Sequence, residues 1–365
     1  MHERMYACTF WRLLRGEEGL IRRKVAELAG VSEATVSRVL SGAGTVKDDT
    51  AKRVMDAAKQ LGYVPNALAQ RFALRKSGNL GVILPLLPKV NLFSTFYFSE
   101  VLSGIGVTAK QRGYDLLLLF READEARDYA SLFRTQKIDG CIILGSKDTP
   151  GERAALAELK EREHPFCLVN QRFEGEAYNT VDADQKMGSR HAVRHLLRYG
   201  YRKICFLNGP PEYSNSLDRL NGFQQALAEA QVPFREEHVL IGNYSRKSGY
   251  RQTETVAALI RSGEVDAVIA ANDRMAIGLM QGLKELGIRA GEDFALVGCD
   301  DSDVSSMMEP QLTSIRVPFY EVGCEAASRL LDLMTETEPS PPFEVKLPVK
   351  LIERASSKTT RSTAK

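Results

Sequence analysis

The sequence predicts a small all-α headpiece of helix-turn-helix type, followed by a large α/β core of two doubly wound parallel-sheet subdomains. Three observations carry that prediction. Two short apolar runs at helical spacing flank Gly30, a third ends at Gly62, and from Leu80 onward short apolar strands alternate with amphipathic helices. A chain of 365 residues, 44% hydrophobic and 26% charged, can build more than one core. Residues 1–20 precede these signals, contain the single Trp and are assigned no function.

In the headpiece, Val25, Leu28, Ala29, Val31, Val36, Val39 and Leu40 fall at helical spacing in two runs. Gly30 between them suits the left-handed backbone of a tight helix exit. Ser32 stands where the second helix begins, so its hydroxyl can cap an orphan amide. The turn that follows projects Glu33, Ala34, Ser37 and Arg38 away from the apolar seam, where a major groove would meet them. A third run over Thr50 to Leu61 places Val54, Ala57, Ala58 and Leu61 on one face. Charge follows the same division. Residues 1–80 hold 14 Lys+Arg against 8 Asp+Glu, a net of +6, and the remainder holds 35 against 39, a net of −4. The small part is the polyanion binder.

In the long part, Gly81 to Leu84, Leu116 to Phe120, Cys141 to Leu144, Phe166 to Val169, Ile204 to Leu207, Ala267 to Ala270 and Ala295 to Val297 read as buried strands. Helical runs separate them at Phe98 to Arg112, Lys186 to Arg198, Ser216 to Ala230, Gly249 to Arg261, Met275 to Leu286 and Tyr320 to Met334. This alternation demands parallel sheets covered on both faces, and its length suggests two sheets with a cleft between them. Ligands of such sheets bind beyond the carboxyl ends of the strands, which places Asn272 and Asp300 for hydroxyl recognition. Asp301 reads as an N-cap or a lobe-bracing residue. Phe93, Phe96, Tyr97 and Phe98 form an aromatic cluster after the opening strand; Phe98 reads as partly core, whereas Phe96 or Tyr97 could stack on a sugar ring or a flat base.

The order of the three helices, the segment Tyr63-Val64-Pro65-Asn66-Ala67-Leu68-Ala69-Gln70-Arg71-Phe72 and the strand opening Gly78-Asn79-Leu80-Gly81-Val82-Ile83 resembles the lactose repressor / galactose repressor family of bacterial transcription regulators. The resemblance runs from about Ile21 to about Arg354. It implies a helix-turn-helix domain over 21–64, a hinge helix and linker over 65–78, and a periplasmic-binding-protein-like core over 79–355. Within that core it implies an N-subdomain of about 79–182 and 316–342 and a C-subdomain of about 183–315 and 343–355. The chain would cross between lobes near Val181 to Asp184, Ser314 to Val317 and Pro341 to Val345, and 356–365 would be a disordered tail.

The resemblance further implies a homodimer on a pseudo-palindromic operator, with Glu33, Ala34 and Arg38 choosing the bases. Arg38 offers a fork matched to guanine. Glu33 could accept from cytosine or serve as a solvated partner of the helix dipole. Ser32, Thr35, Ser37 and Thr50 are short hydroxyl side chains suited to phosphate. Segment 65–72 is too short to be helical alone and would order on DNA, with Asn66 and Ala69 in the minor groove and Phe72, where the family more often has Leu, as the wedge. Arg219, in Asp218-Arg219-Leu220-Asn221-Gly222-Phe223, matches the family's ligand-binding arginine; Asn215 and Tyr244 fall on lining positions, and Asn170 replaces a more common Asp. A sugar is favoured over a purine, because the position six residues before Arg219, an arginine in purine sensors, is Tyr213 here.

Other classes are poorly supplied. His191 and His195 have the i, i+4 spacing of a zinc pair but no identifiable third ligand. Gly-x-Ser-x-Gly and phosphate-binding glycine loops are missing, so no catalytic residue, cofactor or metal is assigned and the chain reads as a non-enzyme. A solute-binding transport protein would share the core fold, but the headpiece argues against it. The scattered cysteines Cys8, Cys141, Cys167, Cys205, Cys299 and Cys324, mostly in apolar runs, with no ~20-residue apolar span or secretory h-region, lead us to expect a cytoplasmic protein without membrane attachment.

Overall fold

A computed structural model describes residues 20–41, 46–63, 76–87, 91–122, 125, 127–336, 338 and 340–358. The chain divides into two units, residues 1–77 and 78–365.

In the first unit, α1 (20–29), α2 (Glu33–Ser41) and α3 (Asp48–Gln60) enclose a core of Val25, Ala26, Ala29, Val36, Val54, Ala57 and Ala58. Gly30, at φ +65°, ends α1, and the Val31 amide returns to the Ala26 carbonyl at 3.0 Å. Ser32 caps α2 as expected, its Oγ accepting from the Thr35 amide at 3.2 Å. Leu28 and Leu61, read as seam residues, are instead 50% and 38% exposed. Small Ala side chains at 26, 29, 57 and 58 let the three helices approach closely enough that the seam is complete without them.

The second unit holds two six-stranded sheets. Its strands are β1 (Asn79–Pro85), β2 (Asp115–Arg121), β3 (Gly140–Leu144), β4 (Phe166–Val169), β5 (Thr180–Ala183), β6 (Ile204–Asn208), β7 (Val239–Ile241), β8 (Ala267–Ala270), β9 (Ala295–Asp300), β10 (Thr313–Arg316), β11 (Glu344–Leu347) and β12 (Lys350–Ile352). The first sheet runs β11-β5-β4-β3-β1-β2 and the second β12-β10-β9-β8-β6-β7; every pairing is parallel except β10 with β12. Each order reverses direction beside its first strand, so each lobe has a switch point at which the strand ends open a crevice.

The covering helices are α4 (Phe96–Gln111), α5 (Ala130–Arg134), α6 (Pro150–Glu161), α7 (Gln185–Arg198), α8 (Ser214–Glu229), α9 (Arg246–Arg251), α10 (Thr253–Arg261), α11 (Asp273–Glu285), α12 (Asp303–Met307) and α13 (Phe319–Leu333). The helical run expected over Gly249 to Arg261 is therefore two helices that meet at Gln252. α4 and α13 cover the first sheet and touch through Gly104 and Gly323. A Cβ on Gly104 would stand 2.1 Å from the Tyr320 carbonyl oxygen, and one on Gly323 would stand 2.2 Å from that of Val101.

The chain leaves the first lobe at Asp184 and returns at Val317 to Pro318, near the expected crossings. The third expectation needs correction. β11 pairs in parallel with β5, so residues 344–347 belong to the first lobe and the last crossing falls at Pro348 to Val349. The alternating Glu344-Val345-Lys346-Leu347 suits an edge strand half open to water, which the boundary at 343 had overlooked. The expected disorder from Ser356 is corrected at its start as well. Ala355–Ser357 forms a 3-10 turn, with Ser356 and Ser357 fully buried. Ser356 donates to the Leu296 carbonyl at 2.6 Å and accepts from the Thr313 amide at 2.9 Å. Residues 359–365 lie outside the described residues.

Candidate functional site

The carboxyl ends of both sheets open onto one cavity of about 370 Å³ between the lobes of the second unit. All eight positions expected to face an effector line it: Phe96, Tyr97, Asn170, Asn215, Arg219, Tyr244, Asn272 and Asp300. The aromatic wall is built by contact. Tyr97 stands edge-on to Phe98 at 4.7 Å and to Phe319 at 5.1 Å, and Phe98 is buried, as its helical face requires. In the second lobe the Tyr244 hydroxyl donates to Asn215 Oδ1 at 2.9 Å and accepts from Arg219 at 3.4 Å.

Asn272 lines the cavity and also holds the second lobe together. Its Oδ1 caps α11 through the Met275 amide at 2.9 Å, and its Nδ2 donates to the Tyr244 carbonyl at 3.0 Å, so both ends of the amide are occupied by protein. Asp301 braces and does not cap: Arg354 reaches it at 2.6 Å and Arg316 at 2.7 Å. Asn170, Tyr244 and Asp300 hold φ of +55°, +65° and +120°, conformations that cost on the order of 1–3 kcal/mol each for side-chain-bearing residues. Strained residues thus line the cavity from both lobes, Asn170 after β4 of the first and Tyr244 and Asp300 in the second.

Sequence reasoning missed Ser146, Lys147, Gln171, Gln185, Arg274 and Phe319, all of which line the cavity. Ser146 and Lys147 follow β3, and Gln171 follows β4, so the strand-end rule applied to β8 and β9 would have found them. Gln171 also ties the lobes together, donating to the Glu212 carbonyl at 3.3 Å and accepting from the Ser214 amide at 2.9 Å. Arg172 joins Asp182 of the first lobe to Asp218 of the second, the latter at 2.6 Å.

Burial pushes the Asp300 carboxyl well above the usual range, and the neighbouring Asp273 adds to this while Arg219 opposes it. Burial also pushes Asp273 up, to about 7, although Ser314 Oγ, the Ser302 amide and Ser302 Oγ donate to it at 2.6, 2.8 and 3.0 Å. A carboxyl raised on folding binds more protons folded than unfolded. Its contribution is therefore full below about pH 4 and is lost as pH rises through about 7. Replacing Asp273 by Asn is expected to make stability fall less steeply from about pH 4 to 7 than in the parent, by at most about 1.4 kcal/mol per pH unit. Urea unfolding across that range reads the difference, and parallel curves would show that Asp273 stays ionised throughout.

His195, one of the two histidines with zinc spacing, is buried and bonded through Nε2 to Ser357 Oγ at 2.7 Å. Among the described residues no group of three or more His, Cys, Asp or Glu is arranged to hold a metal ion, and no helix is long and apolar enough to cross a membrane.

In the first unit, Ser32, Ala34, Ser37 and Arg38 are exposed on α2, while Glu33 and Thr35 are half-buried, as is Thr50 on α3. Glu33 pairs with Arg22 at 3.2 Å, so its carboxylate is engaged within the domain. Asn66, Ala69 and Phe72 lie outside the described residues.

Residues 23–66 match the model of bacterial regulatory proteins of the lacI family, and residues 193–357 match a periplasmic binding protein-like domain. The chain is 32% identical to the HTH-type transcriptional regulator AscG of Escherichia coli over 87% of its length and 93% of that protein. It is also 32% identical to the regulator CelR of Thermobifida fusca over 91% of its length and 96% of that protein. Among solved structures, the lac repressor dimer bound to operator and an anti-inducer aligns over 92% of this chain and 98% of its own, with TM-score 0.76 and 29% identity. A CelR–cellobiose complex aligns over 92% and 99%, with TM-score 0.70 and 31% identity. With a headpiece and a two-lobed core that both match, this chain belongs to the lacI family of DNA-binding bacterial transcription regulators.

Proposed function

We propose that the protein is a cytoplasmic, non-enzymatic repressor that binds a pseudo-palindromic operator as a homodimer and releases it when a sugar occupies the cleft of the core. The convergence on a single cavity of eight residues expected from strand ends, an aromatic cluster and family positions supports this reading most directly. The lac repressor structure, a dimer on operator, and the cellobiose complex of CelR supply the analogy for dimer, operator and sugar. Aromatic rings beside amide and carboxylate side chains suit a polyol with an apolar ring face. Titrating operator DNA with and without monosaccharides and disaccharides tests the reading; a ligand that tightens DNA binding would reverse the direction of coupling and make it a corepressor.

Arg38 carries base reading and Ser37 positioning in this proposal. Arg38→Ala is expected to weaken the best site by about 1–3 kcal/mol and to relax selectivity at one symmetric guanine pair. Ser37→Ala should weaken all sequences about equally. Binding-site selection on each variant separates the two roles, and an unchanged base preference for Arg38→Ala would remove that residue from the reading set. Because two headpiece regions of +6 displace counterions together, affinity is also expected to fall linearly in log–log form with salt concentration. A constant that does not change with salt would exclude phosphate neutralisation as the source of affinity.

A further inference from the structure

The charge of the cleft departs from the practice of the rest of the core. Elsewhere, inward-facing arginines are matched by carboxylates: Arg121 by Glu152, Arg172 by Asp218 and Arg354 by Asp301, each at 2.6 Å. Inside the cavity the lining includes Lys147, Arg219 and Arg274, against a single carboxyl, Asp300. Among the described residues none of the three cations forms an ion pair. The Arg274 guanidinium donates to Thr95 Oγ1 at 3.4 Å, and the Lys147 ammonium stands 5.6 Å from the centre of the Tyr213 ring. Arg219 is 5% exposed, its Nε has no hydrogen-bond partner, and its nearest hydroxyl, that of Tyr244, is 3.4 Å away.

A guanidinium cannot relieve burial by losing its proton; Arg219 is buried, Arg274 half-buried and Lys147 exposed at the mouth, so an oxyanion entering the cleft would meet three cations that no carboxylate among the described residues holds within ion-pair distance. Asp300 can offset only one of the three positive charges. The cations also come from both lobes: Lys147 follows β3, while Arg219 lies on α8 and Arg274 on α11. An oxyanion between them would draw the lobes together. Inorganic anions alone do not account for the site, because Tyr97 and Phe319 add an apolar wall suited to a ring face, and Asn170 and Asn215 add amides suited to hydroxyls.

Resting on the small-molecule reading above, we propose that the cleft takes an anionic sugar, a polyol bearing a carboxylate or a phosphate, whose oxyanion is held by Lys147, Arg219 and Arg274. Charge-assisted bonds to a planar guanidinium favour such groups over a neutral hydroxyl.

The test is calorimetric titration of the full chain with matched pairs: D-glucuronate, D-gluconate and D-glucose 6-phosphate against D-glucose, and D-galacturonate against D-galactose. Inorganic phosphate serves as a control. At least one acid is expected to bind ten or more times tighter than its neutral parent, and the carboxylate and phosphate arms identify the oxyanion. Lys147→Gln and Arg274→Gln should each lower that affinity at least fivefold, with the unfolding temperature of the unliganded protein within a few degrees of the parent's. Neutral parents binding as tightly as the acids, or variants that keep full acid affinity, would overturn the anionic class and leave the sugar reading standing. Binding of inorganic phosphate as tight as that of any sugar acid would overturn the sugar component. If no sugar binds and none alters operator affinity, the sugar reading fails as well.

Discussion

Asp300→Asn and Arg219→Ala are expected to abolish the response of operator binding to the effector while leaving operator affinity itself within about twofold. Both residues line the cavity of the second unit, far along the chain from the exposed face of α2. Asn is nearly isosteric with Asp and meets the same backbone strain at φ +120°, so the substitution changes the side chain's acceptor pattern and capacity for charge without a change of shape. Linkage makes the expectation stringent: whatever factor the effector takes from DNA affinity, DNA must take from effector affinity, and a cleft variant removes both. Arg219→Ala carries an opposite expectation for stability. Since the guanidinium is buried without an ion-pair partner, its removal should leave the unliganded unfolding midpoint unchanged or raise it. Titrations of DNA with and without ligand, on the parent and both variants, decide the matter. Normal responses in both would move the effector out of this cleft.

What was legible in the sequence follows from the physics of each signal. The seven strands expected from uninterrupted apolar runs all exist; six are buried, as strands covered on both faces need such runs, whereas β2, expected to be buried, is a half-exposed edge strand with Phe120 open to water. The five unseen strands are three or four residues long, and β5, β10 and β11 mix polar residues with apolar ones. Asp182 of β5 and Thr313 and Ser314 of β10 are nonetheless buried, where neighbours from distant parts of the chain bond to them: Arg172 meets Asp182, Arg354 and Ser357 meet Thr313, and Asp273 meets Ser314. No local pattern reports such partners. Most of the site's polar and aromatic lining in both lobes was readable from strand ends and family positions, whereas Lys147 of the first lobe and Arg274 of the second sit in loop and helix-start contexts that look like ordinary solvated charges. Their meaning comes from what they lack, a carboxylate, which only the assembled cleft reveals.

The same distinction governs the largest stability effect expected. Thr149-Pro150-Gly151-Glu152 has the spacing of a capping box, in which the glutamate would fold back to the helix start. Thr149 does cap, accepting from the Glu152 amide at 3.3 Å, but the Glu152 side chain turns inward and is 2% exposed. There it accepts from Arg121 at 2.6 and 2.8 Å, the Tyr129 hydroxyl at 2.9 Å, Ser146 Oγ at 2.7 Å and Arg127 Nε at 3.1 Å. Glu152→Ala would leave a buried arginine and two hydroxyls without their shared acceptor. The expected loss is about 3–5 kcal/mol, a fall in unfolding midpoint of roughly 6–20 °C for a unit of this size. Ser146 lines the cavity, so effector affinity should fall in the same variant. Pairing Glu152→Leu with Arg121→Met should recover most of the stability, since an apolar pair of similar volume strands no charge. A loss below about 1 kcal/mol for Glu152→Ala would mean that water reaches the network and screens it, and that Ser146 is held in place by the backbone after β3 and not by the carboxylate behind it.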